Sequence, residues 1–233
     1  MKLSYYPGST FWVAAHFQIE PGYRIFWINP GDVGKKTVVH FDVPIGFEAS
    51  EARFPAPTKF ELGDGGKSFG YEGETAAFAQ VRALPDLRAD EMYRFEVEAK
   101  WLACKKRCLS EGAKAFIEFS VEPEARQTTF AGRLGELFEE LPEPLYQLAG
   151  VEHEWRSGTL SVRAKEARWL DFFPANATAP RLTKLSIEPK QNELRLSFEG
   201  GARGSRVKGV AVTEGGQGRR FVTVDLPYEG PTQ

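Results

Sequence analysis

Hydrophobic and polar positions in the first half of the chain alternate with the period of strands. Thr10 to Ile19 mixes aromatic and β-branched residues and stops at Pro21-Gly22, a turn signal. Tyr23 to Ile28 forms a second run, ended by Asn29-Pro30-Gly31-Asp32, and Thr37 to Val43 a third, ended by Pro44. Ala76 to Val81 follows. From Tyr93 to Ala103 the alternation is clean: Tyr93, Phe95, Val97 and Ala99 fall on one face, with Arg94, Glu96, Glu98 and Lys100 on the other. That is the period of a half-buried strand. Ala115 to Val121 closes the set. Many short strands with turns and no helical pattern between them predict an immunoglobulin-like β-sandwich over residues 1–123.

The pattern breaks at Glu122 to Gln127. Phe130, Leu134, Leu137, Phe138 and Leu141 then recur at helical spacing, and Pro142 ends the run. Strand-like runs return at Thr159–Ala164, Lys184–Glu188, Glu193–Phe198, Val207–Thr213 and Arg220–Leu226. We therefore expect a second β-sandwich-like domain over residues 128–233, with the short helix at its start. No repeat relates the halves. The whole chain reads as all-β.

Composition narrows the function. The chain has 233 residues, 42% of them hydrophobic, enough for two cores. Thirty Lys and Arg balance 32 Asp and Glu, for a formal net charge of −2. That argues against a nucleic-acid binder, which would carry a basic excess. No apolar run approaches the roughly 18 residues of a transmembrane helix. The N-terminus has no apolar segment of signal-peptide type. These features leave a cytosolic chain, or an exported one shown without its signal.

Chemistry concentrates at the only two cysteines, in Cys104-Lys105-Lys106-Arg107-Cys108. Three cations between the sulfurs favour thiolate, so the thiol pKa values should fall below the free value of about 8.5. A turn would let the pair close a small disulfide ring. So short a loop adds little stability, which favours a redox pair over a staple. The C-x3-C spacing is less diagnostic than C-x-x-C, and no βαβ pattern surrounds it. Two thiolates suit a soft ion such as Cu(I). However, His16, His40 and His153 show no ligand spacing relative to them, and no metal site is assigned. There is no G-x-S-x-G, no Walker A motif and no dinucleotide fingerprint, and no cofactor is called for. Gly63-Asp64-Gly65-Gly66-Lys67 reads as a surface loop. It leads into Ser68-Phe69-Gly70-Tyr71-Glu72-Gly73-Glu74, whose aromatics serve either to anchor a turn or to cover a reactive site as a mobile lid.

At these residues the chain resembles the N-terminal periplasmic region of the thiol:disulfide interchange protein DsbD family, and more closely its ScsB-type relatives. The resemblance rests on Pro21 to Gly34, Phe54-Pro55-Ala56-Pro57, Phe69 to Glu74 and Trp101 to Glu111, in matching order over about residues 10–122. The second half is similar to the extra β-domain of ScsB-type proteins, with Asp171-Phe172-Phe173-Pro174 as its best local match. The resemblance implies an immunoglobulin-like periplasmic domain. A thioredoxin-like domain or protein would supply it with electrons, and it would pass them to disulfides of partner proteins. It implies that Cys108 forms the mixed disulfide and Cys104 resolves it, that Phe69, Gly70 and Tyr71 form an aromatic cap loop over the pair, and that Phe26 and Trp101 are further shielding aromatics. The chain lacks the family's membrane segments and thioredoxin-like domain, so it reads as part of a larger protein or as a separate protein served by another reductase. The remaining readings are a β-sandwich interaction module with a structural disulfide, and a copper-handling domain. The thiol chemistry is expected in residues 1–123, because the second half holds no cysteine.

Overall fold

The computed structural model describes residues 8–88, 91–120, 131–165, 167–175, 179–202, 204–216 and 218–230. The chain forms two units that meet in sequence at Leu141/Pro142. Both are β-sandwiches, as the alternation predicted.

Unit 1 contains β1 (Thr10–Gln18), β2 (Arg24–Gly31), β3 (Val38–Asp42), β4 (Phe47–Ala49), β5 (Thr58–Glu61), β6 (Lys67–Tyr71), β7 (Glu74–Ala83), β8 (Met92–Cys104), β9 (Cys108–Ser120) and α1 (Ala131–Glu139). One sheet has the order β1-β7-β4, and the other β3-β8-β2-β6-β5 with β9 also paired to β8. All these pairings are antiparallel. Phe11 and Val13 of β1, Phe47 of β4, Val81 of β7, and Tyr93 and Phe95 of β8 are buried together. Phe47 meets both Phe95 and Tyr93 edge-on, at 4.9 and 5.0 Å between ring centroids. Edge-to-face pairing suits the ring quadrupoles.

The helix appears where the spacing predicted it, but with a different partner. Leu134, Leu137 and Phe138 of α1 pack with Leu141 on Ala76 and Phe78 of β7 and on Trp12 and Ala14 of β1. It therefore completes unit 1 instead of opening the second unit near residue 128. The predicted break at 122–127 lies outside the described residues.

Unit 2 contains β10 (Glu143–Pro144), β11 (Val151–Arg156), β12 (Thr159–Ala164), β13 (Ala167–Pro174), β14 (Arg181–Glu188), β15 (Glu193–Glu199), β16 (Arg206–Gly215) and β17 (Gly218–Pro227). Its sheets have the orders β10-β17-β16-β13 and β11-β12-β15-β14. Leu160, Val162, Leu194 and Leu196 from one sheet meet Trp169, Phe172, Val207, Val222 and Val224 from the other, all almost wholly buried. The Trp169 Nε1 donates to the Asn192 carbonyl at 3.0 Å, satisfying the one polar atom of that buried ring.

Candidate functional site: a disulfide at a hairpin tip

Strands β8 and β9 form one long hairpin, in register from Met92 opposite Ser120 to Cys104 opposite Cys108. Three residues, Lys105 to Arg107, make the turn, with the Lys105 amide donating to the Arg107 carbonyl at 3.1 Å. Directly opposite residues of an antiparallel pair carry their side chains on the same face. The ladder itself therefore brings the two sulfurs together, with Cα atoms 4.1 Å apart, and they are joined as a disulfide. A second tie fixes the tip: the Lys105 ammonium donates to the Pro21 carbonyl at 3.1 Å.

The two cysteines occupy unequal positions. Cys104 stands opposite Arg24 of β2 on one side and Cys108 on the other, and is half-buried. Cys108 opens strand β9, which among the described residues is paired only to β8 and is exposed from Cys108 to Glu118. One sulfur thus belongs to a residue inside the sheet and the other to a residue on its open edge.

A cleft of about 540 Å³ borders the pair. Its walls are Arg24 and Phe26 of β2, Leu102 of β8, Ser68 of β6 and Leu62, together with Val33, Gly34 and Lys35 from the segment after β2. Phe26 therefore stands on the cleft with the disulfide. Trp101 does not. Neighbouring residues of a strand point to opposite faces, and Trp101 faces Phe17 of β1, with rings edge-on at 5.4 Å.

The proposed cap residues also lie elsewhere. Phe69, Gly70 and Tyr71 are not in a loop but in β6, paired to β2 on one side and β5 on the other. Phe69 and Tyr71 are buried, and neither lines the cleft. The Tyr71 hydroxyl donates to the Pro55 carbonyl at 2.7 Å. Burial, and after it the charge of Glu140, pushes this phenol well above its usual value, so it remains a donor. Gly70 is needed for close approach: a Cβ there would fall 2.1 Å from the Ile25 carbonyl oxygen. These aromatics anchor the sheet to the core, in a strand and not in the loop that the sequence suggested.

Sequence reasoning named Phe26 but missed Arg24 and Lys35. Arg24 is held by Glu72, with Nε 2.6 Å from Oε1, and its guanidinium lies 4.0 Å over the Phe60 ring. Lys35 joins Lys105 and Lys106 on the cleft wall. No local pattern links Arg24 or Lys35 to Cys104; the β2–β8 pairing does. Among the described residues no three His, Cys, Asp or Glu side chains gather as a metal site would require. No helix among them is long and apolar enough to cross a membrane.

A disulfide presented at the rim of a β-sandwich, open on one side and flanked by cations, is the arrangement of a thiol–disulfide exchange domain. The chain belongs to the family described as thiol:disulfide interchange protein DsbD, N-terminal, whose model matches residues 1–119. Domains of this family are periplasmic and work with thioredoxin-like proteins in disulfide relays. No curated protein matches the chain. Among solved structures it is similar to the E. coli chaperone DraB at 12% identity, over 97% of this chain and 95% of that one, with a TM-score of 0.26. That likeness is too loose to bear on fold or function.

Proposed function

We propose that this chain is a periplasmic thiol–disulfide exchange module that carries reducing equivalents from a thioredoxin-like donor to disulfides of partner proteins. In the reduced protein the Cys108 thiolate attacks a partner sulfur. The partner disulfide breaks, one partner sulfur leaves as thiolate and takes a proton, and a mixed disulfide forms. The Cys104 sulfur then attacks Cys108. This forms the Cys104–Cys108 disulfide and releases the second partner thiol. Two electrons have passed to the partner, and the dithiol of a thioredoxin-like protein returns the module to its reduced state by the same exchange.

The asymmetry of the pair supports these roles. Cys108 is exposed on an edge strand, where an incoming sulfur has room, whereas Cys104 is half-buried between two strands. Apart from the cysteine pair itself, the hairpin ladder extends through twelve residue pairs. A purely structural staple at its tip would add little, and reduction leaves Cys104 in place to resolve the intermediate. The second β-unit supports placing the chain with ScsB-type members of the family.

Trapping tests the assignment. Cys104→Ala should accumulate a mixed disulfide with an oxidised thioredoxin-like protein, whose disulfide its Cys108 thiolate attacks, and Cys108→Ala should form none. The reverse pattern would exchange the two roles, and no adduct from either variant would remove the exchange function.

A further inference from the structure

The cleft beside the disulfide carries charge of one sign. Arg24, Lys35, Lys105 and Lys106 line it, and no Asp or Glu does so among the described residues. The chain as a whole has a formal net charge of −2, so this concentration is local. Its members come from three places in the sequence, β2, the segment after it and the β8–β9 turn, and the fold gathers them around the sulfurs.

Only one of these cations meets a carboxylate among the described residues. Arg24 is paired with Glu72. Lys105 is hydrogen-bonded to an uncharged carbonyl and lies 5.5 Å from the Tyr23 ring centroid, so its charge is not cancelled. Lys35, Lys106 and Arg107 pair with no carboxylate among the described residues. A concave site lined by one sign of charge focuses its field and raises encounter rates with the opposite sign. Stabilising a thiolate accounts for the cations in the turn, but Lys35 belongs to another segment and faces the same opening. The remaining wall is apolar, with Phe26, Val33, Leu62 and Leu102. A cleft of about 540 Å³ whose wall is part cationic and part apolar suits a short protein loop with acidic and apolar side chains.

We infer that the protein loop docking at Cys108 carries carboxylates beside its own cysteine, with an apolar residue to fill the cleft. The inference rests on the exchange role proposed above and names the chemistry of the partner. Complementary charge acts chiefly on association rate and on rejection of wrong partners.

The test uses the reduced full chain and two synthetic peptides closed by a disulfide, identical except that Asp or Lys flanks the cysteines. Neutral 2,2′-dithiodipyridine serves as the reference disulfide. Each peptide rate is divided by the reference rate, so the ratio reads charge and not thiol reactivity. At low salt the Asp peptide should react at least about tenfold faster than the Lys peptide. The preference should collapse towards unity near about 1 M salt, where the Debye length is about 3 Å. Lys35→Glu should reduce it at low salt. Equal peptide rates at low salt would overturn the acidic-partner inference while leaving exchange intact. Failure to react with dithiodipyridine would overturn the exchange role and this inference with it. The salt series on the unaltered chain decides the matter even if Lys35→Glu folds poorly.

Discussion

Gly34 lies flat against the ring of Phe26: a Cβ at position 34 would sit 2.5 Å from the Phe26 Cε1. Its φ is +105°, a conformation that L side chains rarely adopt. Sequence and geometry therefore agree that only glycine lets the segment after β2 fold down over Phe26 and form the wall of the disulfide cleft.

Gly34→Ala should cost unit 1 about 1–3 kcal/mol, the usual range for a side chain forced into such a backbone region. It should also speed reduction of the Cys104–Cys108 disulfide by dithiothreitol, because Val33 and Lys35 move off the cleft with it. Denaturant unfolding and reduction kinetics measure the two effects. Parental values for both would show that the wall is not held by this contact.

The buried β6 aromatics lead to a different expectation from that of a lid. Phe69→Ala with Tyr71→Ala should destabilise unit 1 by more than about 3 kcal/mol, the scale of a core Phe→Ala change. Tyr71→Phe alone should cost about 1 kcal/mol, through the lost hydrogen bond to Pro55. Alkylation of the reduced cysteines should accelerate only as far as unfolding accounts for it. A double variant of parental stability with rapidly alkylated cysteines would restore the lid.

The helix extends the exchange unit beyond the family match at residue 119. Phe138 meets Trp12 at 5.0 Å and Phe78 at 5.5 Å, both edge-on. A chain ending near residue 123 would uncover Trp12 and Phe78, and should be less stable than one ending near residue 142. Aromatic pairs contribute about 0.5–1.5 kcal/mol each beyond their buried area, so a difference of about 2 kcal/mol or more is expected in urea unfolding. Equal stabilities would mean that α1 adds nothing to the sandwich.

These cases also separate what was legible in the sequence from what was not. Strand β8 was readable because one of its faces is buried and the other charged, so Tyr93 and Phe95 alternate with Arg94 and Glu96. Strand β9 was seen only at its far end, because eleven residues from Cys108 to Glu118 are exposed and neither face constrains the pattern. Strand β6 resembled a loop because Ser68 to Tyr71 are all buried and Gly70 is imposed by the neighbouring backbone. The cysteine pair was legible because its geometry is local to one hairpin. The cleft was only half legible: Lys105 to Arg107 are adjacent in sequence, while Arg24 and Lys35 arrive through strand pairing. The helix announced itself by its period, but nothing local tells Phe138 that its neighbour is Trp12.

Unit 2 offers a pH-dependent test of its own. Glu193 has no exposed surface, yet its cover is thin, consisting of Arg163 and Arg195 side chains that are themselves 46% and 42% exposed. Its carboxylate accepts from Arg163 at 2.8 Å and from the Arg195 Nε at 2.9 Å. Burial raises its pKa, but hydrogen bonds from Arg195 and Ser161, with the charges of Arg163 and Arg195, outweigh that effect and hold it below the usual carboxylate value. A carboxylate depressed in the folded state adds stability above its unfolded pKa of about 4.3 and loses it as pH falls through the folded value. At pH 7, Glu193→Gln should therefore increase hydrogen exchange in β12 and β15 relative to the parent. The gap should close as the pH falls past the unfolded value and through the lowered folded one, where the parent's own carboxylate becomes protonated and resembles the amide. Exchange compared at matched pH measures this directly, and a gap that persists undiminished in acid would show that the ion cluster is not what stabilises this sheet.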